Sequence, residues 1–142
     1  MNFFIDTNLI LDFLSGREPF ADNANIIFNY AYNKKINLFV SSQSILTSHY
    51  ILKKVFSEEK VRETLSEILE IIQIVPSDKV ILQLALKSQH KDYEDGVQIF
   101  CAHKIENLEG IITRDMKDFS TSEIPVFAPD EALNHIKNSL TI

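Results

Sequence analysis

Three acidic side chains stand at places where α/β folds often build chemistry: Asp6, Asp95 and Asp115. Asp6 closes the apolar run Phe3-Phe4-Ile5, which reads as a short buried strand. Asp115 follows Ile111-Ile112-Thr113, a second run of the same kind. Asp95 falls at the beginning of a helical pattern, with Asp92 and Glu94 crowded beside it. Carboxylates are hard oxygen ligands, and a set of them selects Mg²⁺ or Mn²⁺. Such ions activate a water and stabilise the leaving oxygen in phosphodiester cleavage. Asp and Thr also cap helices, and acids complement the helix N-terminal dipole. At Asp6 and at Asp95 the capping reading and the metal reading both stand on the residues alone.

What decides between them is whether the elements bring the three acids together. Leu9, Ile10 and Phe13 recur at helical spacing after Asp6, so that carboxylate sits where a strand hands over to a helix. Ligands in open α/β sheets bind outside the carboxyl ends of strands. A turn over Ser15–Pro19 leads to a helix from about Phe20 to Lys35, with Ala24, Ile27, Phe28 and Ala31 inward. Asn37–Ser41 is a strand, Ser42–Lys54 a helix, and Ser57 caps another. Gln73–Val75 is a brief strand, and Ser77 or Asp78 caps the helix running to about Ser88. Glu94 or Asp95 opens the next helix, and Gly110 breaks its pattern ahead of the strand Ile111–Thr113. Pro125–Phe127 is the last strand, and Pro129 starts the last helix. Alternating strands and helices predict an α/β fold: a mostly parallel central sheet of four or five short strands with helices on both faces. If the first strand and Ile111–Thr113 are neighbours, Asp6 and Asp115 share one crevice.

The bulk composition is ordinary for a globular chain, 45% hydrophobic and 24% charged, and 142 residues suit a single domain spanning 1–142. The lone Cys101 excludes an internal disulfide and a cysteine-built zinc site. No signal peptide or membrane span is legible, so a cytoplasmic location is expected. The net charge of -6 argues against broad, sequence-blind nucleic-acid binding. It is compatible with a nuclease, because bound cations reverse the local sign of a carboxylate cluster.

Three stretches carry a family resemblance: Phe4-Ile5-Asp6-Thr7-Asn8-Leu9-Ile10-Leu11-Asp12, Asp92-Tyr93-Glu94-Asp95-Gly96-Val97-Gln98, and Ile111-Ile112-Thr113-Arg114-Asp115-Met116-Lys117-Asp118-Phe119. In order and spacing they resemble the PIN domain, and Ile124–Glu131 is similar to that family's end. The resemblance implies a metal-dependent endoribonuclease, of the kind found as the VapC-like toxin of type II toxin–antitoxin pairs. It implies Asp6, Asp95 and Asp115 as metal-binding acids using Mg²⁺ or Mn²⁺, with Asp118 a second candidate for the last position. Thr7, Asn8 and Thr113 are then supporting hydrogen-bonders. RNA as substrate, a small antitoxin as partner and a homodimer are further implications. The pattern departs at Thr47, where the family usually carries Glu. His49, two residues on, is expected to be a packed, hydrogen-bonded residue rather than a ligand.

Lys91, Arg114 and Lys117 lie near the acids in sequence, where they could steer an RNA backbone or simply be solvated loop charges. Two other functions compete with the nuclease. With Thr47 uncharged, the domain could bind RNA or protein and cut nothing. A phosphoryl-transfer enzyme with Asp6 as nucleophile would also place Asp after the first strand, but no later Lys stands in an obvious partner position.

Overall fold

Phe3, Phe4 and Ile5 are fully buried, and that burial makes their strand the centre of the molecule. The computed structural model describes residues 1–141. The strands are β1 (Asn2–Ile5), β2 (Asn37–Ser41), β3 (Gln73–Val75), β4 (Leu108–Ile112) and β5 (Val126–Phe127). They form one parallel sheet in the order β3-β2-β1-β4-β5. Phe4 pairs with Ile111 and Ile5 with Ile112, so β1 and β4 are the neighbours that the sharing of one crevice requires. The helices are α1 (Thr7–Ser15), α2 (Ala21–Tyr32), α3 (Ser42–Leu52), α4 (Glu58–Leu69), α5 (Lys79–Lys87), α6 (Tyr93–Ala102) and α7 (Pro129–Leu140).

Alternation along β1 sends side chains to opposite faces and so creates two cores. Phe3 and Ile5 join Leu38, Val40, Ile27, Phe28, Ile68, Leu133 and Ile136, which packs α1, α2, α4 and α7 on one side. Phe4 and Ile111 join Val75, Ile81, Val97, Ile99 and Phe119 on the other, under α5 and α6. Caps set several helix starts: Asp6, Ser41, Ser57, Asp78 and Asp92 each accept a backbone N–H with the side chain. Among the described residues no helix is long and apolar enough to cross a membrane.

Two local expectations differ from the fold. Asp92, not Glu94 or Asp95, is the cap of α6, so the helix begins at Tyr93. Gly110, read as a break, lies inside β4. The reason is crowding: a Cβ there would meet the Phe127 ring at 2.5 Å and the Pro125 carbonyl oxygen at 2.7 Å. Glycine lets β5 and its aromatic ring close over β4. Gly110→Ala should therefore cost about 1–3 kcal/mol through overpacking. Urea denaturation checks it; a variant as stable as wild type would mean that β5 yields without penalty.

Candidate functional site

Asp6 ends β1 and caps α1, and its carboxylate is held at both oxygens. Oδ1 accepts from the Thr7 backbone N–H at 2.7 Å, and Oδ2 accepts from the Thr113 hydroxyl at 2.8 Å. Capping and site membership are thus the same geometry, because a cap must stand at the carboxyl end of its strand. Thr113 follows β4 and acts as a hub: its oxygen also accepts from the Asp115 backbone N–H at 3.0 Å. The Asn8 amide donates to Asp115 Oδ2 at 3.0 Å. Asn8 and Thr113 thereby tie Asp6 to Asp115 across the β1–β4 boundary. Besides the N–H that Thr7 gives to Asp6, its hydroxyl donates to Ser44 Oγ at 2.7 Å, joining the starts of α1 and α3.

One groove of about 320 Å³ brings the acids together. Asp6, Asp95, Asp115 and Asp118 line it, with Thr47, Asp92, Glu94 and Gln98. Asp118 comes from a 3-10 turn over Met116–Phe119 that the sequence reading did not foresee. An adjoining cleft is lined by Lys91, Lys117, Asp92, Asp95 and Asp118. Among the described residues no three His, Cys, Asp or Glu side chains close up into a ready-made chelate. The convergence is that of a groove rather than of a closed cage.

Like charges and burial work against ionisation here. Burial raises the Asp6 pKa, opposed by the bonds from Thr113, Gln98 and the Thr7 N–H, while the Asp115 charge raises it further. Asp95 is pushed up to about 7, first by burial and then by Asp92, Asp6, Asp118 and Glu94. The folded state therefore holds the Asp95 proton more tightly than the unfolded chain does. Its effect on stability is neutral below about pH 4, turns unfavourable as pH rises toward 7 and is fully unfavourable above that. Without divalent cations, Asp95→Asn should melt about 3 °C above wild type at pH 8, roughly 1 kcal/mol after solvent screening, and level with it at pH 4. Scanning calorimetry at the two pH values reads this directly. An equal offset at both would refute the charge-crowding account.

Arg114 does not face the groove. Its Nε donates to Asp12 Oδ2 at 2.6 Å and its Nη2 to Oδ1 at 3.1 Å, while its guanidinium lies 3.9 Å from the Phe20 ring centre. A steering role is replaced by pairing with a carboxylate on α1 that has no exposure. His49 is a hydrogen-bonded residue as expected, its Nε2 meeting Glu58 Oε2 at 2.5 Å. Two contributors escaped the sequence reading. Ser44 shows no motif. Gln98 stands three residues after Asp95 on α6, a spacing that shares one helix face and could have signalled it.

The chain matches the sequence profile of the PIN domain over residues 2–117. Among curated proteins, ribonuclease VapC1 of Aquifex aeolicus (strain VF5) is 28% identical over 133 residues, covering 90% of each chain. Among solved structures, VapBC2 from Rickettsia felis bound to a DNA fragment from their promoter superposes with a TM-score of 0.65 at 15% identity, covering 90% of this chain and 98% of that one. A toxin–antitoxin complex from Klebsiella pneumoniae gives 0.59 at 25% identity, covering 89% and 96%. FitAcB from Neisseria gonorrhoeae gives 0.62 at 17%, covering 89% and 97%.

Proposed function

The chain belongs to the PIN domain family, and from that premise we propose that it is a Mg²⁺- or Mn²⁺-dependent endoribonuclease, the toxin of a type II toxin–antitoxin pair. The observation that carries the proposal is the convergence of Asp6, Asp95, Asp115 and Asp118 in one groove beside β1 and β4. The similarity to a VapC ribonuclease and to toxin–antitoxin complexes supports the class of activity and the antitoxin partner.

The donor set fits a hard divalent cation. Every acidic ligand candidate is a carboxylate, among the described residues no basic side chain lines the groove itself, and burial followed by like-charge crowding raises Asp95. Asp6, Asp95 and Asp115, with Asp118, would hold the ion. When bound, it would neutralise charge at a phosphate and make a water acidic enough to attack. The Thr7 N–H and Thr113 hydroxyl fix the Asp6 carboxylate, and Asn8 fixes that of Asp115. Lys91 and Lys117 border the adjoining cleft, where they would receive the RNA backbone. The net charge of -6 also suits a basic antitoxin segment laid over the groove. Exposed apolar side chains on α3 and α5, among them Leu46, Tyr50, Val80 and Leu86, offer surface for a homodimer.

The experiment is RNA cleavage by purified protein over a panel of structured RNAs. Cutting should require Mg²⁺ or Mn²⁺, stop with a chelator and resume when the ion is returned. The rival reading is a domain that binds RNA or protein without cutting. It is favoured by the uncharged Thr47 and by the open rather than caged arrangement of the acids. Calorimetry with no Mn²⁺ uptake at millimolar concentration would decide for the rival.

A further inference from the structure

The groove holds two carboxylates more than the proposal above uses, Asp92 and Glu94. Glu94 stands in the first turn of α6, beside Asp95, and lines the same groove as Asp6, Asp115 and Asp118. Across that groove, Thr47 on α3 donates its hydroxyl to Glu94 Oε1 at 3.3 Å. Among the described residues Thr47 is the sole hydrogen-bond donor to the Glu94 side chain. Its neighbour Asp92 is committed to the helix start, accepting from the Asp95 backbone N–H at 3.0 Å. A dipole role at the N-terminus would account for the charge of Glu94, but not for its being tied to a second helix.

A separate feature of the groove points to a ligand. Gln98 is 2% exposed, lines the groove, and its Oε1 has no hydrogen-bond donor among the described residues. The Asn8 Oδ1 is buried and likewise without a donor. Buried acceptors in folded proteins are nearly always satisfied. A cation or its hydrating waters supplies what such oxygens lack.

We propose that Glu94 is a further ligand of the divalent cation and that Thr47 is its positioning residue. A carboxylate is thereby delivered from α6 to the place where the PIN resemblance expects one from α3. This rests on the reading of the groove as a cation site. Glu94 has one methylene more than Asp, so it spans toward α3 while its backbone stays on α6. The Thr47 hydroxyl occupies one oxygen and leaves the other for the ion.

Mn²⁺ titration by calorimetry on the full chain tests this, with circular dichroism melts confirming that each variant is folded. Glu94→Gln should weaken Mn²⁺ binding by about tenfold or more. Thr47→Val should weaken it in the same direction, and Thr47→Ser should retain it. Glu63→Gln, an equal charge loss at an exposed site on α4, should leave it unchanged. Combining Thr47→Glu with Glu94→Gln should restore binding, since the acid then comes from α3. If Glu94→Gln binds like wild type while Asp6→Asn does not bind, Glu94 is no ligand and the groove reading survives. Equal weakening in Glu94→Gln and Glu63→Gln would also overturn it, as bulk charge alone. No Mn²⁺ uptake by wild type would end both proposals together.

Discussion

Asp6→Asn is expected to abolish the proposed RNA cleavage while the protein stays folded. Asn matches Asp in size but not in charge, and its amide adds a donor of its own to a site already furnished with two. One Asp6 oxygen faces the Thr7 N–H at 2.7 Å and the other faces the Thr113 hydroxyl at 2.8 Å. Whichever way the Asn amide turns, it sets NH₂ against one of them. The Thr113 hydroxyl can rotate, and the backbone N–H cannot, so the amide settles toward Thr113 and releases that residue's hold on Asp6. Loss of the central charge removes stabilisation of several kcal/mol from the transition state, which is about a thousandfold in kcat/KM. Stability should not fall in parallel. Asp6 is 7% exposed and its burial disfavours the charged form, so a neutral side chain relieves desolvation. The measurement is a pair of rates and a pair of melts on identically purified proteins. Equal cutting by both would assign the activity to a contaminant.

The layout of this site was legible because the strands are short and buried. Phe3-Phe4-Ile5 and Ile111-Ile112 are continuous apolar runs, and such runs in a parallel sheet end in polar residues at one edge. Their pairing as neighbours then brought Asp6 and Asp115 to that edge. Asp95 was readable as an acid at a helix start. What periodicity could not give was direction. Arg114 immediately precedes the groove residue Asp115 in sequence, yet its side chain returns to Asp12, a residue that helical spacing marks only as one more position on α1. Gly110 likewise reads as a break, because the ring that excludes a side chain there, Phe127, is distant in the chain. The short 3-10 turn that delivers Asp118 has no periodic pattern to betray it.

Capping and a place in the groove are often weighed as rivals for an acidic residue, and here they coincide. Asp92 spends one oxygen on the Asp95 N–H, which orders the first turn of α6 and so places Glu94 and Asp95. Asp6 caps α1 through the Thr7 N–H and still lines the groove. A helix N-terminus concentrates partial positive charge, which offsets some of the repulsion among these carboxylates. Burial first, and then the repulsion that remains, nonetheless raise Asp95 to about 7. A site that is uncomfortable when empty of cations gains most when one binds, because the ion removes the penalty as it adds its own attraction.

The second large effect concerns the frame behind the groove. Arg114→Ala should lower stability by about 3–5 kcal/mol, because it strands the Asp12 carboxylate in the core. Asp12 has no exposure, and the two guanidinium bonds from Arg114 are what accompany its charge. The fork geometry and the Phe20 ring beneath it make Lys a poor replacement, since an ammonium reaches one oxygen and loses the stacking. Removing both charges is predicted to be milder than removing one. Asp12→Leu with Arg114→Ala should recover much of the loss, since an apolar side chain meets no desolvation cost in that place. Urea denaturation of wild type, single and double variants forms the cycle. Cleavage would fall in the single variant too, because Arg114 lies between Thr113 and Asp115 and its anchor holds both in register. If Arg114→Ala instead keeps full stability and loses only RNA affinity, the pairing with Asp12 is incidental and the guanidinium belongs to the substrate.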